Sequence, residues 1–242
     1  MSASAIAAVA PDAEQHATIG GNALRAAVLG ANDGLVSNLS LVMGVAGAGL
    51  ASSTILITGV AGLLAGACSM AMGEWVSVTS SRELYQRELA VERAEIAGHP
   101  AAEHAELVDI YTRRGLDEQT ARVLADHVMA DPDRALDVMA REELGIDPEK
   151  LGGSAFTAAW SSFTLFVLGA IVPVAPYIPF SGTTAAVLSV GASALALLAV
   201  GALITHVTGR SPLWSGLRQL AVGLAAAAVT FATGALLGVS VG

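Results

Sequence analysis

Five long apolar stretches dominate this chain, at about 27 to 50, 53 to 79, 154 to 178, 183 to 207 and 214 to 240. A helix needs roughly 20 apolar residues to cross the hydrocarbon layer of a membrane, because every backbone polar group must be satisfied within the segment. Each stretch meets that length, and the ionisable residues inside them are only Asp33, Glu74, His206 and Arg218. His206 and Arg218 lie near stretch ends, within reach of the interface. A mean hydropathy of +0.63 with 14% charged residues agrees with this reading and excludes an ordinary soluble domain. The expected fold is an all-α membrane protein of five transmembrane helices, with a helical insert between spans 2 and 3.

The charges are segregated. Nine of the 12 Lys and Arg and 17 of the 21 Asp and Glu fall between residues 82 and 150, so most of the net charge of −9 arises there. An acidic solvated segment disfavours nucleic acid and anionic lipid and favours cations. The remaining bases are Arg25 before span 1, and Arg210 and Arg218 around the start of span 5. Since cytoplasmic loops carry the excess of Lys and Arg, the N-terminus and the insert are expected in the cytosol and the C-terminus outside. One Lys against 11 Arg, with abundant Ala, points to a GC-rich bacterial genome and to a plasma membrane. Residues 1–24 lack a secretory signal pattern and read as a mobile tail. Residues 25–80 hold spans 1 and 2, 81–150 the acidic insert, and 151–242 spans 3 to 5.

From Ser80 to Ile96 there is no Gly or Pro, which predicts that span 2 continues as one helix until Gly98 and Pro100 stop it. Short helices at about 101 to 114, 117 to 130 and 132 to 144 follow, separated at Gly115, Asp131-Pro132 and Gly145. The apolar residues of the insert are few, so it is expected to lean on a partner chain. Gly59, Gly62 and Gly66 in span 2, and Gly234 and Gly238 in span 5, have the spacing that lets helix backbones approach in lipid, either within one subunit or along a dimer seam. Pro173, Pro176 and Pro179 are expected to end span 3. The single Cys68 excludes an intrachain disulfide and a cysteine-based zinc site.

Asp33 and Glu74 carry the most information, because a carboxylate at membrane depth is costly without a partner or a polar path. Asp33 lies in GANDGLVS, where Gly30 and Gly34 allow close approach or local unwinding. Glu74 lies in SMAMGEW, four residues after Met70 and on the same helix face. Two carboxylates with a thioether suit a borderline divalent ion such as ferrous iron or manganese. The plainer alternatives are that Asp33 caps a helix or bonds Asn32 and Ser37, that Glu74 reaches the interface, and that Met70 and Met72 only pack. In the insert, Glu88, Glu92 and Glu95 share a face of the span 2 extension, Glu103 and Glu106 repeat the i, i+3 spacing, and Met139 and Glu143 are an i, i+4 pair. Such acidic faces are usually solvated; beside intramembrane carboxylates they suggest cation capture. His99, His104 and His127 match no zinc signature and read as surface residues. No Gly-rich phosphate loop with Lys is present, so ATP-driven pumping lacks support.

The segments GANDGLVSNLSLVMGV, ACSMAMGEWVSV, REL...ELGI and LGAIVPVAPYIPF resemble the vacuolar iron transporter family in order and spacing, across nearly the whole chain after residue 20. The resemblance implies a homodimer of five-span subunits with a pore at the dimer interface and a metal-collecting cytosolic insert, exchanging ferrous iron and often manganese for protons. It places the pore site at Asp33 and Met70, with Glu74 an extra carboxylate, and the cytosolic sites at Glu92, Glu95, Glu103, Glu106, Met139 and Glu143, with Glu88 adjacent. One departure is Gly62, where plant members carry a carboxylate; Glu74 is the candidate to replace it. The expected function is proton-coupled export of ferrous iron or manganese, with no enzymatic chemistry and no cofactor beyond the transported ion. The competing class is a membrane-anchored metal sensor or buffer. The expected partners are divalent ions, protons, membrane lipid and a second copy.

Overall fold

The structure, a computed structural model, describes residues 18–148, 151, 153–208 and 211–241. The tail at 1–17, Lys150 and Arg210 lie outside these, as do the side chains of Arg25 and His206. All regular elements among the described residues are helical: α1 Thr18–Gly47, α2 Ser52–Gly98, α3 Pro100–Arg113, α4 Glu118–Met129, α5 Pro132–Glu142, α6 Ala155–Val174, a 3₁₀ turn Ala175–Tyr177, α7 Gly182–Thr208 and α8 Pro212–Val241. α1 thus begins at Thr18, inside the segment expected to be tail. The chain divides into two compact units, residues 1–70 with 161–242, and residues 71–160.

In the first unit α1 packs against α8 and α7, and α7 against α8. Glycine makes these contacts close. A Cβ on Gly34 would stand 2.2 Å from the Phe166 carbonyl oxygen, and one on Gly169 2.0 Å from that of Ala31, so α1 and α6 meet backbone to backbone. The same holds for α1 and α8, where a Cβ on Gly234 would stand 1.9 Å from the Gly44 oxygen. Gly30 and Gly34 therefore serve close approach and not unwinding, since α1 is unbroken. Gly59 faces Val174 and Val42, Gly62 faces Leu41 and Asn38, and Gly66 faces the Phe166 ring, so these glycines pack within the chain. Leu39, Val42, Met43, Ile55, Val174, Tyr177 and Ala227 form the buried cluster between these helices.

Among the described residues four helical segments are long and apolar enough to cross a membrane by length and composition: α2, Ala155–Tyr177, Gly182–Leu203 and Pro212–Gly238. Their outward faces are apolar too, with Ile57, Val187, Leu195 and Val229 each more than 60% exposed. Such a surface needs lipid, and the chain is an integral membrane protein. α1 matches these segments in length but carries Asn32, Asp33 and Asn38 in its middle, which dilutes its hydropathy. Pro173 is accommodated in the last turn of α6, Pro176 lies in the 3₁₀ turn and Pro179 just beyond it, while the buried Ser189 hydroxyl donates to the Pro173 carbonyl at 2.7 Å.

The second unit is built from the far part of α2 with α3, α4 and α5. α2 runs unbroken to Gly98, and Pro100 opens α3. Asp117 caps α4 by accepting the Thr120 N–H at 3.0 Å, and Asp131 caps α5 with Pro132 in the first turn. Gly115 at φ +100 and Gly145 at φ +66 take backbone conformations that disfavour other residues. Ile96, Leu107, Ala121, Ala125, Leu136 and Met139 gather into one core.

Gly234→Ala is expected to destabilise the detergent-solubilised protein by about 1–3 kcal/mol, since backbone and not a flexible side chain stands in the way. Gly73→Ala, where nothing lies within 4 Å, is expected to leave the melting temperature unchanged or raise it. Thermal unfolding of the two variants side by side checks this.

Candidate metal centre

The far part of α2 brings Glu92 inward, because Ile96 one turn later packs into the core of the second unit and shares its face. α3 supplies Glu103 from its first turn, one turn before the fully buried Leu107. Glu143, which is exposed, is the capping residue just past the end of α5. Carboxylate oxygens of Glu92, Glu103 and Glu143 lie within 4.8 Å of one another. Glu92 is 2% exposed and Glu103 7%, and the Glu92 Oε1 atom has no hydrogen-bond partner. An ion with oxygen ligands at about 2.1 Å spans roughly 4.2 Å between opposed oxygens, so a slight closure would let the trio grip one cation.

The electrostatics match. Burial, then the charges of Glu143, Glu103, Glu95 and Glu106, push the Glu92 carboxyl up to about 7. Glu103 is raised by burial first and then by Glu106 and Glu95, with His99 opposing. Glu143 is raised by burial and by Glu106, Glu103 and Glu95, while a hydrogen bond with the Glu92 side chain pulls it back. Glu95 and Glu106, both exposed, thus belong to the field of the trio. The ion pairs of the unit lie elsewhere, at Arg113–Asp109, Arg122–Glu118, Arg141–Asp137 and Arg114–Glu142. His104 pairs with Asp126 at 2.8 Å, and His127 lies 3.0 Å from an Arg134 nitrogen. Three clustered acids, opposed only at Glu103 by His99, are a costly arrangement that a divalent ion would relieve.

The other sequence candidates are placed as follows. Met139 is fully buried in the core of the unit, one turn before Glu143, whose N–H donates to its carbonyl at 2.8 Å. Glu88 is half-buried, one turn before Glu92 on α2. Glu74 is half-buried nearer the start of that unit. In the first unit Asp33 is exposed, and its carbonyl accepts the Ser37 hydroxyl at 2.5 Å; Met70 is half-buried against Ala67, Phe166 and Ala170.

Two polar contacts of α1 escaped the sequence reading. The buried Asn38 amide donates to the Ala170 carbonyl of α6 at 2.7 Å, while its Oδ1 has no partner. Gln219 of α8 donates to the Asn32 side chain beside Asp33. Uncharged amides inside apolar runs are the signal for such contacts in the sequence.

Against known proteins, the profile of the VIT family matches residues 24–235. The chain belongs to the VIT family. Relatives include vacuolar iron transporter 1 of Oryza sativa subsp. japonica, 35% identical over 222 residues, covering 90% of this chain and 86% of the relative. Vacuolar iron transporter 1 of Arabidopsis thaliana is 34% identical over 90% of this chain and 87% of its own length. The vacuolar iron transporter of Acanthamoeba castellanii is 36% identical over 93% and 83% respectively. As a VIT-family protein the chain is a transporter and not an enzyme.

The raised carboxyls set the pH dependence. A carboxyl whose pKa is higher folded than unfolded contributes stability that is complete below about 4.5 and is lost as pH rises through about 7. Metal must displace that proton, so affinity for Mn²⁺ is expected to rise with pH and level off above about 7. Glu92→Gln is expected to flatten the metal-free stability profile between these limits and to weaken Mn²⁺ binding at least about tenfold. Calorimetric titration and thermal unfolding of the full chain at pH 5.5 and 8 check both.

Proposed function

We propose that this protein carries ferrous iron, and manganese as a second substrate, out of the cytosol in exchange for protons. The single observation that carries this reading is the trio of the buried Glu92 and Glu103 with the exposed Glu143, in a chain whose relatives are named vacuolar iron transporters. A cluster of acids with raised pKa values binds cation and proton in competition, which is the property an exchanger requires.

In this reading α1 is the fifth span beside the four apolar helices, and the chain works as a homodimer with its pore along the subunit interface. The second unit lies in the cytosol, with the N-terminus inside and the C-terminus outside a bacterial plasma membrane. Glu92, Glu95, Glu103, Glu106 and Glu143 collect the ion, with the Met139 sulfur and Glu88 in support. Asp33, Met70 and Glu74 receive it at membrane depth, and Glu74 substitutes for the carboxylate that plant members carry at the position of Gly62. The exposure of Asp33 on the single chain supports this role, since it leaves the carboxylate free to face a second subunit across the proposed pore. Reprotonation of the carboxylates on the far side releases the metal.

A sensor or buffer would also bind metal at the trio but would not need Asp33. In proteoliposomes with an imposed pH gradient, Asp33→Ala is expected to abolish Fe²⁺ flux while leaving Mn²⁺ binding by the trio within about twofold of wild type. Flux that survives the substitution assigns the path elsewhere.

A further inference from the structure

Glu92 and Glu103 reach the trio from within α2 and from the first turn of α3, whereas Glu143 stands just past the end of α5 and is exposed. Helix ends fray, so a ligand placed there ordinarily loses conformational freedom each time an ion is bound. The chain beyond Glu143 counters that. Gly145, at φ +66, turns it back, the Ile146 N–H donates to the Ala140 carbonyl at 2.8 Å, and the Ile146 side chain is buried. Arg141 then closes the turn. Its Nε donates to both Asp137 oxygens at 3.1 Å and its Nη2 to one of them at 3.0 Å, while its Nη1 lies 2.9 Å from Oδ1 of Asp147. On the other side of Glu143, Glu142 pairs with Arg114 from the end of α3.

We propose that Arg141 and Asp147 form a clamp that positions Glu143, so that the third carboxylate of the trio is in place before a divalent ion arrives. The inference rests on the trio being a cation site, as argued under the proposed function. A guanidinium is planar and presents donors on fixed edges. Asp137, one turn earlier on α5, takes one edge and sets the plane, so the remaining nitrogen reaches the returning chain at Asp147. Residues 141–147 are thereby closed into a loop around Glu143. Arg141 and Asp147 are positioning residues and not ligands. Both are partly exposed, at 39% and 28%, and such pairs add little to folding stability, so the effect of the clamp on the ion is separable from its effect on the fold. The sign of the charge separates them further. Removing a positive charge two residues from Glu143 would by itself strengthen cation binding, so weaker binding without Arg141 has to come from lost geometry.

Mn²⁺ titration of the full chain in detergent tests this, together with the water-proton relaxivity of the bound ion, which counts the waters left on it. Arg141→Met is expected to weaken Mn²⁺ binding about fivefold and to raise the relaxivity per bound ion, because water takes the place of Glu143. Its melting temperature without metal is expected to stay within about 2 °C of wild type. Asp147→Asn is expected to behave likewise, and Asp147→Glu, which keeps the carboxylate, to bind within about twofold of wild type. Glu143→Gln is expected to weaken binding about tenfold in the wild-type background and less than about twofold in the Arg141→Met background, since residues that act as one unit are not additive. Equal losses in the two backgrounds overturn the proposal, as does unchanged affinity in folded Arg141→Met. A wild-type chain that binds no Mn²⁺ overturns the cation site itself, and the clamp with it.

Discussion

Close backbone contact along α1 is the constraint on which the first unit depends. A helix carrying Asn32, Asp33 and Asn38 among its apolar residues brings polar groups into a lipid-facing bundle, and the hydrophobic effect does not drive helix association in lipid. Gly34 against Phe166, Gly169 against Ala31, and Gly234 against Gly44 let three helices come close enough for dispersion contacts to accumulate. The amides then add specific bonds: Asn38 holds α6 through Ala170, and Asn32 holds Gln219 of α8. Glycine and amide thus act together, because the short reach of an Asn side chain to a neighbouring backbone exists only where the helices nearly touch. Asp33 inherits its position from that arrangement.

The second unit solves a different problem. Its surface acids are balanced locally by arginine one helical turn away, as at Asp109, Glu118 and Asp137. The inner glutamates are not. α2 and α3 are amphipathic with Ile96 and Leu107 in the core, and Glu92 and Glu103 stand one turn earlier on the same faces, so burying the leucine and isoleucine drags the carboxyls inward. The cost shows in the raised pKa of Glu92, Glu103 and Glu143, and a proton shared between Glu92 and Glu143 lowers it.

Much of this was legible in the sequence, for identifiable reasons. Breakers at Gly98, Pro100, Gly115, Pro132 and Gly145 placed the helices of the second unit, because capping and positive φ are local demands that a few residues meet. Apolar length marked four helices in the same way. The spacing of Glu92, Glu95, Glu103, Glu106 and Glu143 put them on shared faces, but periodicity carries no distance between helices. It could not separate the trio from Glu88, or show that Met139 fills a core. The glycines were visible as a pattern while their partners were not, since only tertiary contact distinguishes packing within one chain from a seam between two.

A transport site differs from a storage site in how it lets go. Three carboxylates closing on a divalent ion with full charge would hold it tightly, and tight binding slows turnover. Protonation near neutral pH tempers that grip, because each proton that returns to Glu92 removes a unit of ligand charge at the moment of release. A buffer gains nothing from such a compromise and would be better served by acids that stay ionised, paired with bases that keep them so in the empty state. In the proposed reading the arginines of the unit go to its outer acids while His99 bears on the charge of Glu103, and that light compensation suits a site that trades a proton for a cation.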